Sequence, residues 1–164
     1  MADIATRAGL SVGLAYHHFG NKDGLIAAVI EDFYDQYSQR ANERIDAESW
    51  AERERLRSRK IIQFMIETPF TRIVLGPLGR QADAMAADAN ALARLIEIGA
   101  GNIAQGQRRG EVDDRLDPKL AASFVLGGLR QAVAAALAQK APPDIERLST
   151  QIWDQIAASL GIKS

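Results

Sequence analysis

The chain has 164 residues, no cysteine, and 20 Lys plus Arg against 21 Asp plus Glu, a net charge of −1. The missing cysteine excludes disulfides, thiolate metal sites and a cysteine nucleophile, and the balanced charge excludes a strongly basic, histone-like binder. Hydrophobic residues at 47 % and charged residues at 25 % fit one globular unit with a core of its own.

Ala (28), Leu (15) and Ile (15) far outnumber Val (6), which favours helix over sheet. Met1 to Leu10 carries Asp3 and Arg7 and no apolar run, so it does not read as a signal peptide, and a reducing cytoplasm is the expected compartment. The first helix is predicted over Met1 to Gly9, with Ile4, Ala5 and Ala8 on one face and Gly9 as its stop. Ser11 is the expected N-cap of a second helix, Val12 to His18. Gly20 and Asn21 make a turn, and Asn21 caps a third helix from Lys22 to about Ala47. Its Leu25, Ile26, Val29, Phe33 and Tyr37 fall at three- and four-residue steps.

Ser49 with Glu52 forms a capping box that opens a helix to about Glu67. Thr68-Pro69 interrupts it. Pro69 to Gly79, punctuated by Gly76, Pro77 and Gly79, predicts one short helix and a bend. An alanine-rich helix follows over Gln81 to Arg109, closed by Gly110. Asp117-Pro118 is an N-cap with proline at the first helical position, opening a helix to about Gln139. Pro142-Pro143 leads into a last helix, Asp144 to Leu160. No strand pattern competes, so the expected fold class is all-α.

The spacing of the opening helices is that of a helix-turn-helix, in which one helix braces a second that enters the DNA major groove. Asp3-Ile4-Ala5-Thr6-Arg7-Ala8-Gly9-Leu10-Ser11, then Tyr16-His17-His18-Phe19-Gly20-Asn21-Lys22-Asp23-Gly24-Leu25, resemble the DNA-binding region of tetracycline-repressor-like (TetR family) regulators. Ile4, Ala5, Ala8, Gly9, Ser11, Tyr16, His18, Phe19, Lys22 and Leu25 match the family pattern. Gly106 to Val112 and Leu116-Asp117-Pro118 are also similar to it. Val12 departs from the Lys common after that serine, and Ala15 from the usual Leu or Ile. The resemblance implies a further helix ahead of Met1. Without that helix, Ile4, Ala8 and Leu10 lose their partner, and DNA binding is expected to be weak.

The resemblance assigns residues 1–30 to a helix-turn-helix DNA-binding domain, incomplete at its N-terminus. Residues 31–164 become a ligand-binding and dimerisation domain. Val12, Gly13, Leu14 and His17 are the candidate base-edge readers, with Ser11 and Tyr16 beside them. His18 and Lys22 are candidate phosphate contacts. Against this, Met1 to Ala47 holds four basic residues and seven acids, though most acids lie at or beyond Glu31.

Leu120 to Ala138 carries one charge, Arg130. Its Ala and Gly content and the polar residues inside it argue against a membrane span and for burial on every side. Gly127, Gly128, Ala132 and Ala135, with Ile152, Trp153 and Ile156 on the last helix, are the expected interface of a homodimer built as a four-helix bundle. The resemblance further implies a pocket for a small apolar or aromatic molecule, with Trp50, Phe64, Met65, Phe70, Met85, Leu92, Ile96 and Phe124 as candidate walls. No catalytic set, phosphate loop or His-x-x-x-His metal pair appears, so no enzyme activity, cofactor or metal is expected. The expected function is a ligand-responsive regulator, a repressor released from a palindromic operator in double-stranded DNA. The alternative is a dimeric ligand-binding or protein-interaction module that does not bind DNA.

Overall fold

The computed structural model describes residues 1–76 and 82–162. Within them are eight helices and no strand: α1 (Ala2–Arg7), α2 (Val12–Phe19), α3 (Lys22–Ala41), α4 (Trp50–Glu67), α5 (Thr71–Val74), α6 (Ala82–Arg108), α7 (Pro118–Leu137) and α8 (Ile145–Ser159). The expected bend at Pro77 and Gly79, and the start of a helix at Gln81, lie outside the described residues.

The caps explain most of the boundaries. Ser11, Asn21, Ser49, Asp117 and Asp144 each accept a backbone N–H three residues on, at 2.7 to 3.1 Å. At Ser49 the box is not reciprocal: the Glu52 carboxylate takes the N–H of Glu48, one residue earlier than expected. The third helix is shorter than its pattern predicts, ending at Ala41 instead of about Ala47. Asn42 Nδ2 donates to the Ser38 carbonyl (3.0 Å) and Arg57 donates to the Glu43 carbonyl (3.0 Å). A tertiary bond from α4 thus takes up a carbonyl that helix continuation would have used.

α6 packs along both α3 and α7, while α4 packs on α8. Ile30, Phe33, Tyr34, Ile62, Met65 and Val133 are fully buried. Trp50 anchors the far end. Its indole Nε1 donates to the Asn102 carbonyl (2.8 Å), and its backbone N–H and that of Ala51 donate to the Glu111 carboxylate, each at 3.1 Å. Partial burial pushes the Glu111 carboxyl up, but those two amides and Arg109 outweigh it and hold the group below the usual carboxylate range. Gly106 makes room for the indole: a Cβ there would lie 2.7 Å from Val112 Cγ2 and 2.9 Å from two ring atoms of Trp50.

One polar joint interrupts the apolar centre. The Tyr34 hydroxyl of α3 donates to Asp88 of α6 (2.6 Å). Arg130 of α7 donates to the Tyr34 oxygen and pairs with Asp88 at 3.2 Å. The Arg130 and Asp88 side chains are only 18 % and 22 % exposed, so neither is replaced cheaply by water. Arg130→Met is expected to cost about 2 kcal/mol, because it leaves Asp88 largely dehydrated and unpaired. Adding Asp88→Asn is expected to recover part of that loss. Urea unfolding of the single and double variants is the measurement.

Candidate functional site

At the N-terminal end, α1 and α2 form a tight pair. Gly9 makes the turn with φ +69°, a backbone conformation that glycine adopts without steric cost. α1 and α2 bury Ala5 and Ala15 against their neighbours and little else. The rest of α2 faces outward. Ser11, Val12, Gly13, Leu14, Tyr16, His17 and His18 are all exposed, as is Lys22 at the start of α3. Phe19 is half-buried. Ile4 and Leu10 are each 46 % exposed, so this end presents an apolar surface as well as a polar one.

The joint between α2 and α3 depends on Asn21, the expected cap, and on Gly24, which is not among the positions matching the family pattern. Asn21 Oδ1 accepts the Gly24 N–H (2.9 Å), which leaves the Lys22 and Asp23 amides without a partner among the described residues. Free amides beside a lysine at a helix N-terminus suit an anion such as a backbone phosphate. A Cβ on Gly24 would collide with the Phe19 carbonyl oxygen, so only glycine lets the end of α2 close onto α3. The sequence signal was a glycine inside the first helical turn, where it is otherwise unfavourable.

The larger part of the chain holds a cavity of about 110 Å³. Tyr37 and Ala41 of α3, Trp50 to Ile61 of α4, the Leu95–Ile103 face of α6, Leu126 of α7 and Trp153 of α8 contribute to its lining. Of the eight expected pocket walls, only Trp50 is among them. Phe64 stacks on Phe33 with centroids 5.2 Å apart, under the Arg40 guanidinium at 4.1 Å. Met65 is core, Leu92 and Ile96 are half-buried against it, and Phe70, Met85 and Phe124 are exposed. The walls are largely aliphatic and small residues, which composition alone does not set apart from ordinary core.

The cavity has one polar side, on α4. Arg57, 8 % exposed, donates to Glu54 and to the Glu43 carbonyl, while its Nε has no partner. Arg53 donates to the same Glu54 oxygen (2.9 Å) and to Gln105 (2.7 Å). Arg53, Arg55, Arg57, Arg59 and Lys60 alternate along α4 as a solvated face would, but Arg57 turns inward.

On the outer side, α7 and α8 flank an apolar groove. Gly128, Ala132, Ile152 and Ile156 of the expected interface line it, together with Phe124 and Leu148. Gly127 and Ala135 are exposed on α7. Trp153 sits apart from them, lining the inner cavity. Among the described residues no group of His, Asp or Glu is placed to hold a metal ion.

The opening helices form a helix-turn-helix on a larger all-helical body, the arrangement of a class of DNA-binding regulators. Residues 1–29 match the family of bacterial regulatory proteins, tetR family. A TetR-family transcriptional regulator from Pectobacterium atrosepticum is 28 % identical, with a TM-score of 0.75 over 99 % of this chain and 82 % of that one. The regulator FadR from Bacillus subtilis, solved with stearoyl-CoA, has a TM-score of 0.78 at 20 % identity, over 95 % of this chain and 86 % of its own. AibR, solved with isovaleryl coenzyme A and operator DNA, has a TM-score of 0.63 at 16 % identity, over 98 % and 86 %. No curated protein matches the chain. The chain is thus similar to the TetR family in its opening segment and to solved TetR-family regulators in its fold.

Gly24→Ala is expected to cost the α2–α3 joint about 2 kcal/mol, the scale of inserting a methyl group where backbone must move. Native-state hydrogen exchange is expected to show faster exchange at the amides of Ala15 to Phe19, with α7 unchanged.

Proposed function

We propose that the protein is a homodimeric transcriptional repressor that leaves its operator when a small molecule enters the α3–α8 cavity. Residues 1–30 act as the reading unit and the rest as sensor and dimer body. The observation that carries this reading is the exposed face of α2, from Ser11 to His18, on a segment whose sequence matches the tetR family. Val12 and Leu14 offer methyl groups to thymine and His17 a hydrogen-bonding ring, while Tyr16, His18 and Lys22 are suited to phosphates. The neighbours solved with acyl-CoA molecules support a sensor with an apolar receptacle, and operator DNA beside AibR supports the DNA half.

The dimer rests on the outer face of α7 and α8. Leu120 and Phe124 are 71 % and 70 % exposed, and Gly127 and Gly128 leave space for a partner helix, with nothing within 4 Å of a Cβ built on either. Two such pairs related by a two-fold axis give a four-helix interface, and two reading helices then meet two half-sites of a palindrome. Gly128→Glu is expected to convert the dimer to a monomer at micromolar concentration by placing a charge in that groove. Sedimentation velocity reads the outcome, and a monomeric unmodified chain overturns the dimer.

The DNA half is tested on the chain extended upstream by the helix that the family resemblance implies, by selecting duplexes from a random pool and measuring fluorescence anisotropy at several salt concentrations. Lys22→Ala is expected to weaken binding on every sequence and to lower the salt slope by about one. Absence of salt-dependent binding above a scrambled duplex overturns the regulator in favour of an interaction module.

A further inference from the structure

We propose that the cavity receives a small free carboxylate with an apolar body, its acid group taken up by Arg57. This rests on the sensor reading and names the chemistry of its ligand. The charges at the polar side do not cancel: Arg53 and Arg57 share the single carboxylate Glu54, leaving one positive charge in excess. Glu43, the next acid, gives its carbonyl to Arg57 and its carboxylate to Lys60, so it does not neutralise that excess. Glu54 itself already accepts from two guanidinium groups on one oxygen. Arg57 is more than nine-tenths buried and its Nε donor is without an acceptor. A buried guanidinium N–H normally has an acceptor, and an incoming carboxylate supplies one with matching charge and planar geometry. Ser58 and Asn102 lie on the same lining and add polar atoms at that end.

The remaining walls set the other half of the ligand. Ile61, Leu95, Leu126 and Trp153 offer nothing to a polar tail. At about 110 Å³ the space is somewhat smaller than the roughly 150 Å³ cavity that holds a benzene ring. A ligand of six to nine heavy atoms, about the size of benzoate or hexanoate, is accommodated only as the walls move apart. A long acyl chain is not, and a coenzyme A thioester lacks the negative carboxylate that the Arg57 side calls for.

The unmodified full chain is titrated calorimetrically with benzoate, hexanoate, benzamide, hexanamide and hexanoyl-CoA at neutral pH. The expected result is that at least one acid binds about tenfold tighter than its amide, the difference between a charge-assisted and a neutral hydrogen bond. In Arg57→Met, with folding checked by circular dichroism, acid and amide are expected to bind about equally. Equal binding of acid and amide by the unmodified chain overturns the proposal without needing any variant. Binding of hexanamide or hexanoyl-CoA in preference to the acids overturns it while leaving the sensor intact. No binding by any of the five overturns it too, and release of DNA by some other small molecule then tells whether the sensor itself survives.

Discussion

The helical body is organised around the Arg130 charge at a joint of three helices. Arg130 is the one ionised group on α7 between Lys119 and Lys140, and it is placed where α3, α6 and α7 meet. An arginine in an apolar centre is tolerable only with its charge and donors matched. Asp88 from α6 and Tyr34 from α3 supply the match, and burial raises the Tyr34 hydroxyl so that it stays protonated and donates to Asp88. Apolar contacts between helices tolerate sliding, but a tyrosine, a carboxylate and a guanidinium in register do not. The joint therefore fixes the rotation and height of α3 against the two helices that carry the rest of the body.

Much of the architecture was legible from local chemistry. Ser11, Asn21, Asp117 and Asp144 cap helices because a short oxygen-bearing side chain competes for the first free amides. That competition is decided within four residues, so the sequence carries it. The misjudged boundary, Ala41 instead of about Ala47, came from outside that range. Nothing in Asn42 to Ala47 forbids a helix. What ends it is Arg57, fourteen residues on, taking the Glu43 carbonyl. The Glu111 carboxylate at the start of α4, across sixty-one residues from Trp50, escaped a local reading for the same reason.

The site was legible in a different proportion. α2 is exposed along most of its length, so its candidate contact residues follow from spacing and from the family resemblance. The cavity is a matter of what is absent, and absence of atoms depends on how five helices pack. Large apolar side chains were the natural candidates for its walls, yet Phe70, Met85 and Phe124 end up on the surface and Phe64 fills its own niche under Arg40. Composition ranks Trp153 and Gly128 as equally plausible interface residues. Helical phase separates them, with Trp153 turned to the cavity and Gly128 to the outer groove.

α3 connects these two halves. It begins at Lys22, where the Gly24 contact with the Phe19 carbonyl sets α2 in place, and it ends with Tyr37 and Ala41 on the cavity wall. Between them it runs as one continuous helix, about 30 Å long at 1.5 Å per residue. A close-packed interior does not absorb added volume by local compression. Atoms entering beside Tyr37 must displace a helix, and the neighbours of that cavity differ in freedom. α6 is packed along both α3 and α7, and α4 is held at its start by Glu111 and Ser49. At its own start α3 is joined to α2 by one short turn, with no buried residue of α3 before Ile26. α3 thus reaches from the cavity wall to α2, with its first turn free of buried residues and its middle held by Tyr34 against Asp88 and Arg130.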